Sequence, residues 1–168
     1  MSVIEVGAGE EKKIVIVHSE DSARKESQER TIRLLHPSAS VVVEEFFCSG
    51  AKSNVTIIHE AKNTSSRIIT RGVARCGDII VANSRIIIPK GSSGSKTRVE
   101  QSFLLLDGSS RVRATPSLEI EEDDVLAGHC ASISPISEDA IAYLASRGFD
   151  RKVAEGMIVE GFLKGGAG

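Results

Sequence analysis

The stretch SLEIEEDDVLAGHCA, residues 117–131, decides how the rest of the chain is read. It holds two short runs of alternating apolar side chains, five acids within the six positions 119–124, and the pair His129 and Cys130. Alternation with period two marks strand, and apolar spacing of three and four marks helix. The first pattern prevails before this stretch and the second after it, so a β-rich body ends here and a helical segment begins.

Working upstream, runs rich in Ile and Val recur at 13–18, 31–35, 41–46, 54–59, 67–70, 78–81, 85–88, 99–106, 111–113 and 117–121. Gly, Ser, Asn or Asp bounds each of them, as strand-forming sequence requires. No helical pattern interrupts the series. Its spacing is too uneven for a strict repeat, which leaves a sandwich, a barrel and an irregular solenoid open. The short step Ala82-Asn83-Ser84 reads either as a solenoid corner between two strands or as a tight hairpin. Lys90-Gly-Ser-Ser-Gly-Ser-Lys96 reads as a surface loop.

Downstream of Pro135 the period changes. Ser137 is placed to cap a helix whose first turn carries Glu138 and Asp139, with Ile141, Leu144 and Ala145 on one face and Gly148 after its end. Asp150 is placed to cap a second helix in which Ala154, Met157, Ile158 and Phe162 share a face. The division expected is a flexible lead-in at 1–12, a β core at 13–134, a helical hairpin at 135–164 and a frayed tail at 165–168. The hairpin is expected to cover the open end of the β body.

Composition narrows the function classes. The chain has 168 residues, enough for one domain with a sizeable core. A net charge of −2, 4% aromatic residues and no Trp argue against a nucleic-acid partner. Apolar runs such as 14–17 and 103–106 fall far short of the roughly 20 residues a membrane helix needs. Three cysteines without a secretory leader point to a reducing cytoplasm.

Motifs for catalysis are missing. No G-x-S-x-G elbow occurs, the four histidines are scattered, and the Gly-rich pieces open onto no helix, which argues against a hydrolase and a nucleotide site. Zinc-type CxxC or HxxxH spacing is absent. His129 and Cys130 bring donors suited to iron–sulfur chemistry. As strand neighbours they point to opposite sides, so at most one of them serves a given metal. The plainer reading is an apolar-behaving Cys beside a hydrogen-bonded His. Cys48 and Cys76 have no partner in sequence, and the acidic run reads as a solvated rim. Basic residues gather at 62–75 and 85–98, which fits either docking between protein subunits or charged protection of strand edges.

The order of several motifs resembles the SufB/SufD family of iron–sulfur cluster assembly scaffolds. The segments are His59-Glu-Ala-Lys-Asn63-Thr-Ser-Ser66, Arg71-Gly72 with Gly77, Arg85-Ile-Ile-Ile-Pro89, Gln101-Ser-Phe-Leu-Leu-Leu106, Pro116-Ser-Leu-Glu-Ile-Glu121, Asp124-Val125, Gly128-His129, and Tyr143-Leu144 with Arg147-Gly148. Lys62 stands where the family usually has proline. The resemblance implies a mainly β protein, a right-handed parallel β-helix (β-solenoid) with two C-terminal α-helices. It implies a noncatalytic scaffold that pairs with a SufB/SufD-like subunit or with itself and docks a SufC-type ABC ATPase through helices 137–147 and 150–163. On that reading Tyr143, Leu144, Arg147, Met157 and Phe162 form the partner-binding surface. His129, with Cys130 as an added donor, becomes the candidate ligand of a transient iron–sulfur cluster at the subunit junction. Gln101 stands where the SufB branch carries its sulfur-accepting cysteine, so the likeness is closer to SufD. Family members are usually longer, which makes this a shortened member whose far end residues 1–12 or a partner must seal. A purely structural solenoid module that has lost cluster chemistry is the alternative.

Overall fold

The computed structural model describes residues 2–19 and 27–165. Among the described residues, ten strands run in chain order as β1 (Ser2–Val6), β2 (Glu11–His18), β3 (Gln28–Leu34), β4 (Ser40–Phe47), β5 (Ala51–His59), β6 (Ser65–Ala74), β7 (Ile79–Ile88), β8 (Ser95–Leu105), β9 (Arg111–Ile120) and β10 (Val125–Pro135), followed by α1 (Glu138–Ser146) and α2 (Arg151–Lys164). Odd strands form one sheet, β1-β3-β5-β7-β9, and even strands the other, β10-β8-β6-β4-β2. Every ladder between neighbouring strands is parallel. The chain therefore crosses from sheet to sheet at each corner and returns one step along the stack, which is a β-solenoid with two C-terminal helices.

Strict alternation builds the core. In β4 the burial alternates residue by residue, with Val41, Val43, Glu45 and Phe47 turned inward. Partner strands repeat the pattern in register, so the interior consists of stacked rows such as Val43, Ile68 and Val99. The step between register partners varies, for instance from Arg30 to Val55 in one coil and from Ile79 to Arg111 in another. This variation, absorbed in the corners, is why no fixed repeat shows in the sequence.

A belt of polar side chains divides the interior. On one side lies an apolar cluster around Ile32, Ile57 and Ile86, on the other a cluster around Phe47, Ile80 and Phe103. Between them, buried Glu45 accepts from Thr70 Oγ1 at 3.3 Å and meets His18 Nε2 at 3.0 Å. Gln101, fully buried, donates to Ser84 Oγ at 3.0 Å and to the Ala82 carbonyl at 3.3 Å. Hydrogen bonding is what makes such burial tolerable. The belt also corrects one expectation. Ala82-Asn83-Ser84 is no corner but the middle of β7, because Ala82 and Ser84 face this belt and Asn83 faces outward to bond Asn54 Oδ1 at 2.7 Å. For the same reason the runs 78–81 and 85–88 merge into β7, and 111–113 and 117–121 merge into β9.

Corners are clipped by repeated devices. Gly9, Ser38, Asn63 and Gly94 each have φ between 58° and 75° and sit two residues ahead of the aligned positions Glu11, Ser40, Ser65 and Lys96. Backbone bonds tie one such corner to the next, from Ser38 N to Lys62 O at 3.2 Å, Asn63 N to Ser93 O at 2.9 Å and Gly94 N to Asp124 O at 2.8 Å. At the opposite corner, Asp78 Oδ1 accepts from Gly50 N at 2.9 Å, and Asp107 accepts from Cys76 N and from Ser109 and Ser110. The Ser109 hydroxyl first, then the Cys76 amide, hold the Asp107 carboxyl well below the usual range.

Residues Ser2–Val6, inside the stretch read as a lead-in, form β1 and join the first sheet. Ser137 and Asp150 cap the helices as expected, accepting from Ala140 N and Val153 N. The helices do not cover the end of the stack. They lie on its flank, where Ile141, Ala154, Leu144, Ile158 and Phe162 pack over Val73 and Leu104. Those two are neighbours in register on the outer face of the second sheet. The positions 166–168 of the expected tail lie outside the described residues.

Candidate functional site at the open end of the solenoid

With the helices on the flank, β9 and β10 are left as terminal strands, one in each sheet. Hydrogen-bond direction shows which backbone groups are bare. In β10, Asp124 O and Ile136 N bond β8-side partners Gly94 N and Leu105 O. In a parallel ladder alternate residues face opposite neighbours. The amides of Ala127, His129, Ala131 and Ile133 therefore point to the open edge. In β9, Arg111 N and Glu121 N bond Asp78 O and Ile88 O, which turns residues 112, 114, 116, 118 and 120 to the edge. One of these is Pro116, which has no N–H to offer, so the edge of the first sheet is blocked in mid-strand, whereas that of the second is open from Val125 to Ile133 and lacks an N–H only at its last residue, Pro135.

His129 lies in the middle of this unblocked edge. Its register partner is buried Val99, so its side chain belongs to the inward row, exposed only because no further strand stacks beyond it. Cys130 pairs with Glu100 on the outer face and lies within electrostatic reach of Arg98. Both residues are exposed, and they point to opposite sides as strand geometry demands. Among the described residues, no group of three His, Cys, Asp or Glu side chains converges on one point. The donors of this chain are thus separate, and any metal held here needs further ligands from elsewhere. Cys48 and Cys76 are free, exposed thiols in the β4–β5 and β6–β7 corners.

The acidic run is less idle than a solvated rim. Glu119 makes a two-point contact with Arg85, at 2.7 Å to each guanidinium nitrogen, and that contact holds its carboxyl below the usual range. Glu122 accepts from Gly91 N at 2.9 Å and Asp124 from Ser93 Oγ at 2.7 Å, clipping the preceding corner. Sequence reasoning missed the pairing because it is non-local: Arg85 and Glu119 are brought together only by the β7–β9 ladder.

On the helices the five expected contact residues separate into two groups. Leu144 and Phe162 are half-buried against the sheet. Tyr143, 60% exposed, Arg147 and Met157 face outward, with Phe149 and Val153 also exposed. The Arg147 guanidinium lies 5.3 Å from the Tyr143 ring centre. Arg71 on β6 holds the hairpin in place by donating to the Phe162 carbonyl and lying 5.8 Å from that residue's ring centre.

The chain is thus a two-sheeted parallel solenoid with a bare, imidazole-bearing end and a flanking helical pair. Residues 6–162 match the family model described as SUF system FeS cluster assembly, SufBD core domain, and the chain belongs to this family. It is 40% identical over 116 residues to an iron-sulfur cluster assembly SufBD family protein of Mycobacterium bovis, covering 69% of this chain and 13% of that protein. A protein of the same description from Mycobacterium tuberculosis gives the same figures. One from Staphylococcus saprophyticus is 33% identical over 116 residues, 69% of this chain and 24% of the relative. The matched segment thus spans less than a quarter of each of these relatives. No helix among the described residues is long and apolar enough to cross a membrane.

Proposed function

We propose that this chain is a noncatalytic scaffold subunit of SUF-type iron–sulfur cluster assembly, working in a reducing cytoplasm. It pairs through the open end with a SufB/SufD-like subunit or a second copy. The cluster is cargo rather than a resident group, and His129 presents an imidazole to it at the seam while Cys130 offers a thiolate from the outer face. A SufC-type ABC ATPase docks on the exposed side of the helices through Tyr143, Arg147 and Met157, with Leu144 and Phe162 setting the helices from beneath. ATP is hydrolysed by that partner and not by this chain.

The observation that carries the reading is the coincidence of His129 with the unblocked edge of β10. A strand added there by a partner places its side chains beside the imidazole and supplies the ligands this chain lacks. Anaerobic reconstitution with iron and sulfide, on the chain alone and mixed with a SufB-type subunit, tests it. Cluster absorbance is expected in the mixture and is expected to fall strongly in His129→Ala and less in Cys130→Ala. No uptake in either condition rejects the reading. Copurification with the ATPase is expected to be lost in Tyr143→Ala and Met157→Ala. A structural module without cluster chemistry is the second reading, favoured by Gln101. That residue is locked inside the core by Ser84 and Ala82, where no sulfur carrier reaches it.

A further inference from the structure

The outer face of the second sheet carries a groove of about 310 Å³ that none of the roles above uses. Arg67 of β6, Lys96 and Arg98 of β8, and Leu126 and Gly128 of β10 line it, so it runs across three neighbouring strands. Its charge is unbalanced. Glu100 is shared by two guanidiniums, receiving Arg67 Nη2 at 3.0 Å and Arg98 Nε, and the two together hold its carboxyl below the usual range, Arg98 more strongly. Two guanidiniums thus share one carboxylate, and the other carboxylate nearby, Asp124 beside Lys96, is engaged by Ser93 Oγ at 2.7 Å, which leaves the groove net positive on a chain whose net charge is −2. Lys96 is exposed. Beside it in register stands Leu126, 71% exposed and the most exposed large apolar side chain among the described residues. Gly128, in register with Arg98, leaves the wall open, since a Cβ there would meet nothing nearer than Arg98 Nη1 at 4.0 Å.

We propose that this groove is a docking surface for an acidic, extended segment of a protein partner. Strands in the sheet are about 4.8 Å apart, and alternate side chains of an extended segment are about 6.7 Å apart. A segment with carboxylates two residues apart therefore reaches Lys96 and one of the two guanidiniums together, while an apolar side chain two residues further on, and so on the same face, covers Leu126. Charge complementarity of this kind sets partner choice and association rate more than affinity. Single-stranded nucleic acid is the less suitable occupant because no aromatic ring lines the groove to stack a base. The groove uses the outer face of β10 and the seam the free edge of the same strand, while the exposed side of the helices lies apart from both.

The test uses the full chain and a fluorescein-labelled peptide with Glu, Glu and Leu at successive alternate positions and Ser between them, which places all three on one face when extended, read by anisotropy. Binding is expected, weakening as salt rises, and weakening roughly tenfold in Lys96→Glu and in Leu126→Ser. Both positions face solvent on a ladder that the substitutions leave intact, and far-UV circular dichroism checks the fold. Lys152→Glu on α2 is expected to leave binding unchanged. Equal binding of a Lys–Leu peptide, indifference to Lys96→Glu, competition by inorganic phosphate alone, or tighter binding of oligothymidylate would each overturn the proposal. None of these readouts involves iron or the ATPase, so failure here is distinguishable from failure of the assembly role.

Discussion

Gly94 shows how a single position carries the fold. Its φ is +75°, and a Cβ there would fall 2.2 Å from Asn63 Oδ1, while Asn63 itself holds φ +58° one coil earlier. Gly94→Ala is expected to cost roughly 2 kcal/mol from the left-handed backbone and the contact combined, read as a lower urea midpoint. Gly108→Ala, with nothing within 4 Å of the added carbon, serves as the near-neutral control. His59 makes a second residue-scale prediction. It is buried between Thr64 Oγ1 and Ser66 Oγ, each at 2.8 Å, and burial lowers its pKa to about 4. The folded state thus binds this proton less readily than the unfolded state, so the contribution of His59 is complete above about pH 6.5 and is lost as pH falls toward 4. The parent is expected to lose roughly 3 kcal/mol more than His59→Gln across that interval, measured as urea midpoints against pH.

Among elements, the helical hairpin depends on its anchor. Arg71 and Gly72 are adjacent but serve opposite faces: Arg71 reaches outward to Phe162, and Gly72 leaves room inward for the Phe103 ring, which a Cβ would approach to 2.5 Å. Together they let the core close while the flank is clamped. Arg71→Ala removes a charged hydrogen bond and a ring contact, worth a few kcal/mol at most. Amide exchange along α2 is therefore expected to quicken roughly tenfold to a hundredfold, with the strands unchanged. Equal exchange in parent and variant would mean that the apolar contacts with Val73 and Leu104 suffice.

At the scale of the whole molecule, both ends of the stack present terminal strands. At one end β1 and β2 expose Val3, Val15 and Val17, and at the other β9 and β10 carry the seam. Bare edges invite pairing, and Pro116 makes the two edges of the seam unequal. Ala131→Pro removes an N–H that points away from β8 and so costs the solenoid no ladder bond. It is expected to weaken association at the seam at least roughly tenfold by sedimentation velocity, with thermal unfolding little changed. A Pro placed instead at Ser132, whose N–H faces β8, is expected to destabilise the chain itself.

Alternation of Ile and Val with polar residues determined most of the strands from sequence alone, though β1 lay in the stretch read as a lead-in and β7 and β9 were each read as two runs, and the caps Ser137 and Asp150 determined both helices, because these signals lie within a few residues of one another. The order of the family motifs supplied the solenoid, which periodicity left open among three architectures. Tertiary structure alone decided where the helices sit, since the docking face of Val73 and Leu104 is assembled from two strands far apart in sequence. It alone turned Ala82-Asn83-Ser84 from an apparent corner into mid-strand, because the polar residues there answer to Gln101 and Asn54 across neighbouring coils. It also placed the His129 imidazole on an open edge, whereas strand alternation had already set that imidazole opposite Cys130. Stacking is a non-local interaction, and what a parallel solenoid buries, bonds or leaves bare is settled by residues a whole coil away.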